Sequence, residues 1–325
     1  MPGRVAIRVD DSVYAALRGR DVRSIRDLTA RELNGLITLA ADVKQRPSGY
    51  AGQLTGRTVA LLFEKPSLRT RVSFAVAAHQ LGAQAIYLGP QEVGLGRREA
   101  VEDVARTLDQ MVDAIVARTF SHAVVERLAA AASVPVINAL SDFSHPCQAL
   151  GDFLTMQETK GALRGLRLAF IGDGNNVANS LIFGAALLGV RMTIATPKGY
   201  EPRPEVLDWA RQHEVEPDIA CRVTTAPEDA ARGADVVYTD TWTSMGQEAE
   251  VELRRRAFEP FRVTETLLRH ARPDAVFMHC LPAHRGEEVD AAVMDSPCSI
   301  VFEQAGNRVH TEKALLMAIL ADGIP

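Results

Sequence analysis

Short runs of Val, Ile, Leu and Ala recur along the chain, alternating with longer stretches in which apolar residues return every three or four positions. The runs at 58–63, 85–88, 114–117, 136–138, 166–171, 191–196, 236–239, 275–279 and 299–302 are candidate strands. They are almost continuously apolar, as strands covered on both faces are. Between them, 72–81, 101–110, 147–157 and 179–188 carry helical periodicity. Repeated strand–helix alternation predicts an α/β fold built from βαβ units. Two such series are present, separated by a helix starting near His145 and Pro146. The expectation is two doubly wound domains, each with a central parallel sheet flanked by helices.

Composition agrees with this picture and narrows the function. With 325 residues, 47% of them hydrophobic and 24% charged, the chain reads as an ordinary globular protein long enough for two cores. A net charge of -5, from 36 basic and 41 acidic residues, gives no global attraction to nucleic acid. No run of about 18 apolar residues suggests a membrane span. The opening MPGRVAIRVDDSVY breaks its apolar stretches with Arg and Asp, unlike a secretory signal. Cys147, Cys221, Cys280 and Cys298 form no C-x-x-C pair, so reduced thiols in the cytoplasm are expected, without a disulfide framework or zinc site.

In open α/β sheets, ligands gather beyond the carboxyl ends of the strands. After 58–63 come Glu64, Lys65, Pro66, Ser67, Leu68, Arg69, Thr70 and Arg71, then an amphipathic run. A helix starting here offers unpaired N–H groups, hydroxyls on Ser67 and Thr70, and two guanidiniums, a set suited to a dianionic phosphate. A capped helix with solvated arginines is the competing reading. The Gly-Lys-Ser/Thr ending of a Walker loop is absent.

Arg118 follows the run at 114–117, and His145, Pro146 and Gln148 follow that at 136–138. Pro146 opens a helix, placing His145 and Gln148 on one side of its mouth. With Arg118 and Thr70 they supply donors for a carbonyl oxygen whose charge grows in a transition state. Each alone reads as well as a solvated strand end or a helix cap.

Gly172-Asp173-Gly174-Asn175-Asn176-Val177 starts like a dinucleotide loop, but Val177 replaces the third glycine. The next run ends in Pro197 and Lys198 with no acid for a ribose. Asn175 and Asn176 suit a small polar ligand instead. Asp240, at another strand end, can pair with an amino group, and the following Ser244-Met245-Gly246 turn offers contacts to a zwitterion. Cys280, after 275–279, reads as nucleophile, ligand contact or small buried hydrophobe. His279, Cys280 and His284 match no familiar zinc spacing.

Taken in order, these segments resemble the aspartate/ornithine carbamoyltransferase family. The matching blocks are FEKPSLRTRVSF at 63–74, ARTF at 117–120, HPCQALGDFLT at 145–155, GDGNNVANS at 172–180, DTWTSMGQE at 240–248, HCLPAHRGEEV at 279–289 and FEQAGNRVHTEKALL at 302–316. The first and third are similar to the carbamoyl phosphate site shared across the family. The Asn-Asn, Ser-Met-Gly and His-Cys-Leu-Pro blocks resemble its ornithine branch. The resemblance implies a carbamoyl phosphate domain over 1–148, completed by a C-terminal helix at about 309–325, and an ornithine domain over 149–308, joined by interdomain helices. It assigns Ser67, Leu68 (through its backbone), Arg69, Thr70, Arg118, His145, Gln148 and Arg308 to carbamoyl phosphate. Asn176, Asp240, Ser244, Met245, Cys280 and Leu281 would hold ornithine. Arg118, His145, Gln148 and Cys280 would serve catalysis.

The implied reaction carries the carbamoyl group to the δ-amine of ornithine through a tetrahedral intermediate, giving citrulline and phosphate in arginine biosynthesis. It uses no cofactor or metal, needs no nucleic acid or membrane, and occurs in a homotrimer or an assembly of trimers. Gly94 and Gly306 depart from the family pattern, where Gln or His and an acid are common; Arg97 or Arg98 could substitute at the first. The alternatives are a transferase for putrescine or an acylated ornithine, a non-catalytic carbamoyl phosphate-binding relative, and an NAD-dependent dehydrogenase.

Overall fold

The structure is a computed structural model and describes residues 11–216, 221–243 and 250–324. Two compact units divide the chain: Met1–Leu154 with Asn307–Pro325, and Thr155–Gly306. The chain passes from one unit to the other within two helices, Pro146–Lys160 and Val301–Leu320.

The first unit holds β1 (Thr58–Phe63), β2 (Gln84–Leu88), β3 (Ala114–Arg118) and β4 (Val136–Leu140), all parallel, in the order β2-β1-β3-β4. β1 and β3 are central and almost wholly buried, which is why their sequences are unbroken apolar runs. Helices Val101–Asp109 and His122–Ala131 lay Val104, Ala105, Val125 and Leu128 against Ala60, Leu62, Ile115 and Ala117. Each fully buried Val or Leu there contributes about 1.5–3 kcal/mol. The order reverses direction between β1 and β3, and their ends pair Phe63 with Arg118. The loops that follow therefore open at one mouth.

The second unit holds β5 (Arg167–Ile171), β6 (Arg191–Ala195), β7 (Arg222–Thr224), β8 (Val236–Thr239) and β9 (Val276–His279), parallel in the order β7-β6-β5-β8-β9. Its core joins Ile171, Val237 and Phe277 to Trp242, Phe258, Phe261 and Val289. The reversal here lies between β5 and β8, where Ile171 pairs with Thr239, and Thr239 pairs in turn with His279.

One expected strand is corrected and one strand was not anticipated. The run at 299–302 is not a strand: Ser299 makes an isolated bridge to Phe277 and the helix begins at Val301. The helical run at 72–81 belongs to a helix that begins at Leu68, where Ser67 caps it, in line with the helix start read at Pro66 and Ser67. β7 was missed, since Arg222-Val223-Thr224 is a short edge strand without a full apolar run. Among the described residues, no helix is long and apolar enough to cross a membrane.

Candidate active site

In the first unit, Ser67 takes an extended conformation at the end of the β1 loop and its Oγ accepts from the Thr70 N–H at 3.2 Å. That contact fixes the mouth of helix Leu68–Gln80 while the hydroxyl hydrogen stays available to a ligand. Arg118 ends β3; its carbonyl accepts from the Glu64 N–H at 2.8 Å, and Glu64 in turn accepts from the Phe120 N–H at 2.9 Å. The two loops are thus tied to each other, and Lys65 sits over the Phe120 ring, 4.9 Å from its centroid.

The turn before helix Pro146–Lys160 is held by the Asn138 side chain, which donates to the carbonyls of Arg23 and Ser144. This sets His145, 5% exposed, at the helix mouth. Burial, then the positive charges of Arg308, Arg118, Lys65 and Arg69, push its imidazole well below the ordinary histidine range. His145 is therefore neutral near pH 7 and surrounded by cations, able to donate from one ring nitrogen without carrying charge itself. Burial, with Arg118 next, also brings Lys65 down to about 8.

Arg308 closes the first-unit set. Its Nη2 lies 3.2 Å from Thr70 Oγ1, its Nη1 3.4 Å from Gln148 Oε1, and its Nη2 and Nε lie 2.7 and 3.2 Å from Glu312 Oε1. These bonds place Arg308 with the first unit, although the sequence division set it at the end of the second domain. Gln148, read as an amide donor to the carbonyl oxygen, gives one Nε2 hydrogen to Asp152 Oδ1 at 2.8 Å and turns its own oxygen to Arg308.

In the second unit, Asn175 caps helix Asn176–Leu188, accepting from the Val177 and Ala178 N–H groups at 3.0 and 3.1 Å. Its Nδ2 donates to Asp240 Oδ2 at 2.7 Å. The other carboxylate oxygen accepts from the Thr241 N–H at 2.7 Å and from the Cys280 thiol at 2.9 Å. Pairing of β8 between β5 and β9 brings these three loops together. Gly174 lets the loop pass close to its neighbour: a Cβ there would stand 2.3 Å from the Pro202 nitrogen. Leu281 holds φ 58, a conformation uncommon outside glycine, with its N–H donating to His279 Nδ1 at 2.8 Å. The opposite nitrogen of His279 lies 3.2 Å from Glu288 Oε1, so Nε2 carries the proton. Asp240, His279 and Cys280 each offer a potential metal ligand within 4.8 Å, but these same atoms serve the hydrogen bonds just described.

The two sets of residues meet their counterparts in known sequences. Residues 20–158 match the profile of "Aspartate/ornithine carbamoyltransferase, carbamoyl-P binding domain" and residues 164–319 that of "Aspartate/ornithine carbamoyltransferase, Asp/Orn binding domain". The chain belongs to the aspartate/ornithine carbamoyltransferase family. It is 50% identical over 314 residues to the ornithine carbamoyltransferase of Thermococcus kodakarensis, covering 96% of this chain and 99% of that one. The relative in Pyrococcus furiosus named "Ornithine carbamoyltransferase, anabolic" is 50% identical over 310 residues, 95% of this chain and 98% of its own. The solved ornithine carbamoyltransferase structure from P. furiosus superposes with a TM-score of 0.90 at 50% identity, over 94% of this chain and 98% of that chain.

Against the pattern of this carbamoyltransferase family, the structure joins Thr70, Gln148 and Arg308 directly, and gathers Arg69, Arg118 and Arg308 around His145. It joins Asp240 to Cys280 and to Asn175, the residue before the expected Asn176. Leu68 is 75% exposed, leaving only its backbone for a ligand in the role expected of it. Ser244 and Met245 lie outside the described residues. Gly94 ends helix Pro90–Val93 with φ 56, and a Cβ would meet that of Arg98 at 2.9 Å, so a Gln or His does not fit this loop unchanged. Sequence reasoning missed Lys65, Asp152 and Glu312. The last two each sit four residues beyond a recognised site residue, a spacing that places them on the same helix face.

Proposed function

We propose that this carbamoyltransferase moves the carbamoyl group of carbamoyl phosphate to the δ-amine of L-ornithine, releasing phosphate and L-citrulline. The observation that carries it is the cation-rich mouth at neutral His145, together with near-complete coverage by relatives named ornithine carbamoyltransferase. Ser67, the Leu68 backbone, Arg69, Thr70 and Arg118 bind the phosphate. Arg118, His145, Thr70 and Arg308 donate to the carbamoyl oxygen. Gln148 gives one of its two amide hydrogens to Asp152, and the second serves the carbamoyl oxygen alongside these donors.

The neutral δ-amine attacks the carbamoyl carbon, forming a C–N bond and an oxyanion. Collapse of the intermediate breaks the carbon–oxygen bond to phosphate, which leaves with the electron pair and takes up the proton that the attacking nitrogen gives up. Preorganised donors stabilise the oxyanion without reorganising, and losing one costs about 10²–10³ in turnover. Asp240, Asn176, Ser244, Met245, Cys280 and Leu281 hold ornithine. Cys280 donates its thiol hydrogen to Asp240, which fits a positioning and binding role better than a nucleophile.

The chain is proposed to act in arginine biosynthesis in the cytoplasm, as a homotrimer or an assembly of trimers. The relative named anabolic supports the direction. Leu68 and Val72, four residues apart on one helix, and Ile86 on edge strand β2 are exposed apolar residues that support self-association. A citrulline colour assay with ornithine, putrescine, N-acetylornithine and aspartate side by side tests the acceptor. Ornithine is expected to exceed the others by at least 100-fold; comparable rates with putrescine or the acylated amine overturn the assignment.

A further inference from the structure

The acid beside Arg308 has no part in the reaction as described, yet it decides where that guanidinium points. Arg308 and Glu312 are 2% and 0% exposed and lie one helical turn apart in Val301–Leu320. Glu312 Oε1 takes the edge formed by Nε and Nη2, at 3.2 and 2.7 Å. That leaves the side bearing Nη1 and Nη2 turned to Gln148 and Thr70, where the carbamoyl phosphate reading puts the ligand. We propose that Glu312 is a positioning residue that aims Arg308 at carbamoyl phosphate, and that its negative charge weakens the binding of that dianion. The inference rests on the carbamoyl phosphate reading and adds to it a residue and a pH response.

The surroundings make the charge matter. Facing Glu312 are Arg308 on its own helix, the Ser73 hydroxyl on helix Leu68–Gln80, and Cys147 on helix Pro146–Lys160. Asp152, on helix Pro146–Lys160, also acts electrostatically on Arg308, and the neutral His145 faces Arg308 as well. Burial keeps the Cys147 thiol protonated, so it adds no charge. Glu312 thus already occupies one edge of the guanidinium before any ligand arrives. Burial, only partly offset by Arg308, raises Glu312 to about 7. Below pH 7 the acid becomes neutral while still accepting through its carbonyl oxygen, and Arg308 is freed to meet an anion. Above pH 7 the carboxylate competes with that anion.

The test is calorimetric titration of carbamoyl phosphate into the full chain, without ornithine, at pH 6 and pH 8. Wild type is compared with Glu312→Gln, which keeps an oxygen acceptor and loses the charge, and with Glu312→Asp, which keeps the charge and shortens the reach. Taking ratios at the same pH removes the ionisation of the ligand itself. Glu312→Gln is expected to bind at least threefold tighter than wild type at pH 8 and about equally at pH 6. Glu312→Asp is expected to bind more weakly at both, with the pH response retained. A Glu312→Gln ratio that is constant between pH 6 and 8, or an unchanged affinity in Glu312→Asp, overturns the proposal and leaves a structural ion pair. Should Glu312→Gln not fold, the Glu312→Asp result alone decides between these. If wild type itself binds no carbamoyl phosphate, the underlying functional reading fails instead.

Discussion

Replacing Asn175 by alanine removes two interactions at once, and their sizes can be worked out separately. The side-chain oxygen caps helix Asn176–Leu188 through two N–H groups, at 3.0 and 3.1 Å. Losing such a cap costs about 1 kcal/mol. The amide also gives a 2.7 Å hydrogen bond to Asp240, a carboxylate only 7% exposed. Removing a donor from a buried charged group costs about 1.5–3 kcal/mol. Together the loss is about 2.5–4 kcal/mol. For the unit spanning Thr155–Gly306, at roughly 2–4 °C per kcal/mol, the melting temperature should fall by about 5–15 °C. Two companion variants separate the contributions. Asn175→Ser keeps a cap and loses the amide, so it should recover about 1 kcal/mol. Asn175→Asp keeps the cap but sets a second carboxylate against Asp240, and should destabilise more than Asn175→Ser. Scanning calorimetry of the full chain reads all three. The KM for ornithine should rise with the loss of Asp240 orientation. An alanine variant melting within about 2 °C of wild type, with ornithine KM unchanged, refutes the assignment of both roles.

Lys65, lowered to about 8 from its ordinary 10.5, is largely neutral at pH 9, and a bound dianion should restore its charge. Calorimetry in two buffers of different ionisation enthalpy at pH 9 should then show proton uptake on carbamoyl phosphate binding in wild type and none in Lys65→Met. Because the folded-state value is depressed, a charged Lys65 costs stability below about pH 8. Lys65→Met should therefore melt higher there, the gain fading as pH rises towards 10.5. Arg118→Ala should lower turnover about 10²–10³-fold; a change of only a few-fold removes Arg118 from the oxyanion set. Gly306 sits inside helix Val301–Leu320, and a Cβ added there would meet nothing within 4 Å. Gly306→Ala should accordingly stabilise the chain by about 0.5–1 kcal/mol, read as a higher melting temperature with unchanged KM.

Much of the fold was legible because parallel strands buried on both faces leave apolar runs that hardly resemble anything else, as in Thr58–Phe63 and Val236–Thr239. The edge strand Arg222–Thr224 was not, since an edge needs no such run. At 299–302 an apolar tetrapeptide fits a strand or a helix start equally well, and only packing on Phe277 and the long helix beyond decides. In the site, residues that touch the ligand mouths stood out because they follow strand ends. Their supports did not. Asp152 and Glu312 look like ordinary helix-surface acids until burial is known. The Gln148 amide shows the limit most plainly: its hydrogen bonds to Asp152 and Arg308 depend on neighbours that only three-dimensional packing brings beside it.

The central claim concerns one bond, from the carbamoyl carbon to the δ-nitrogen of ornithine. It is tested most directly by mixing the enzyme with carbon-13 carbamoyl phosphate and ornithine labelled with nitrogen-15 at the δ position, and following the carbamoyl carbon by NMR. The account predicts a product resonance split by one-bond carbon–nitrogen coupling, growing in step with released phosphate. Phosphate release with only an unsplit carbon resonance, or with no new carbonyl product, would contradict it.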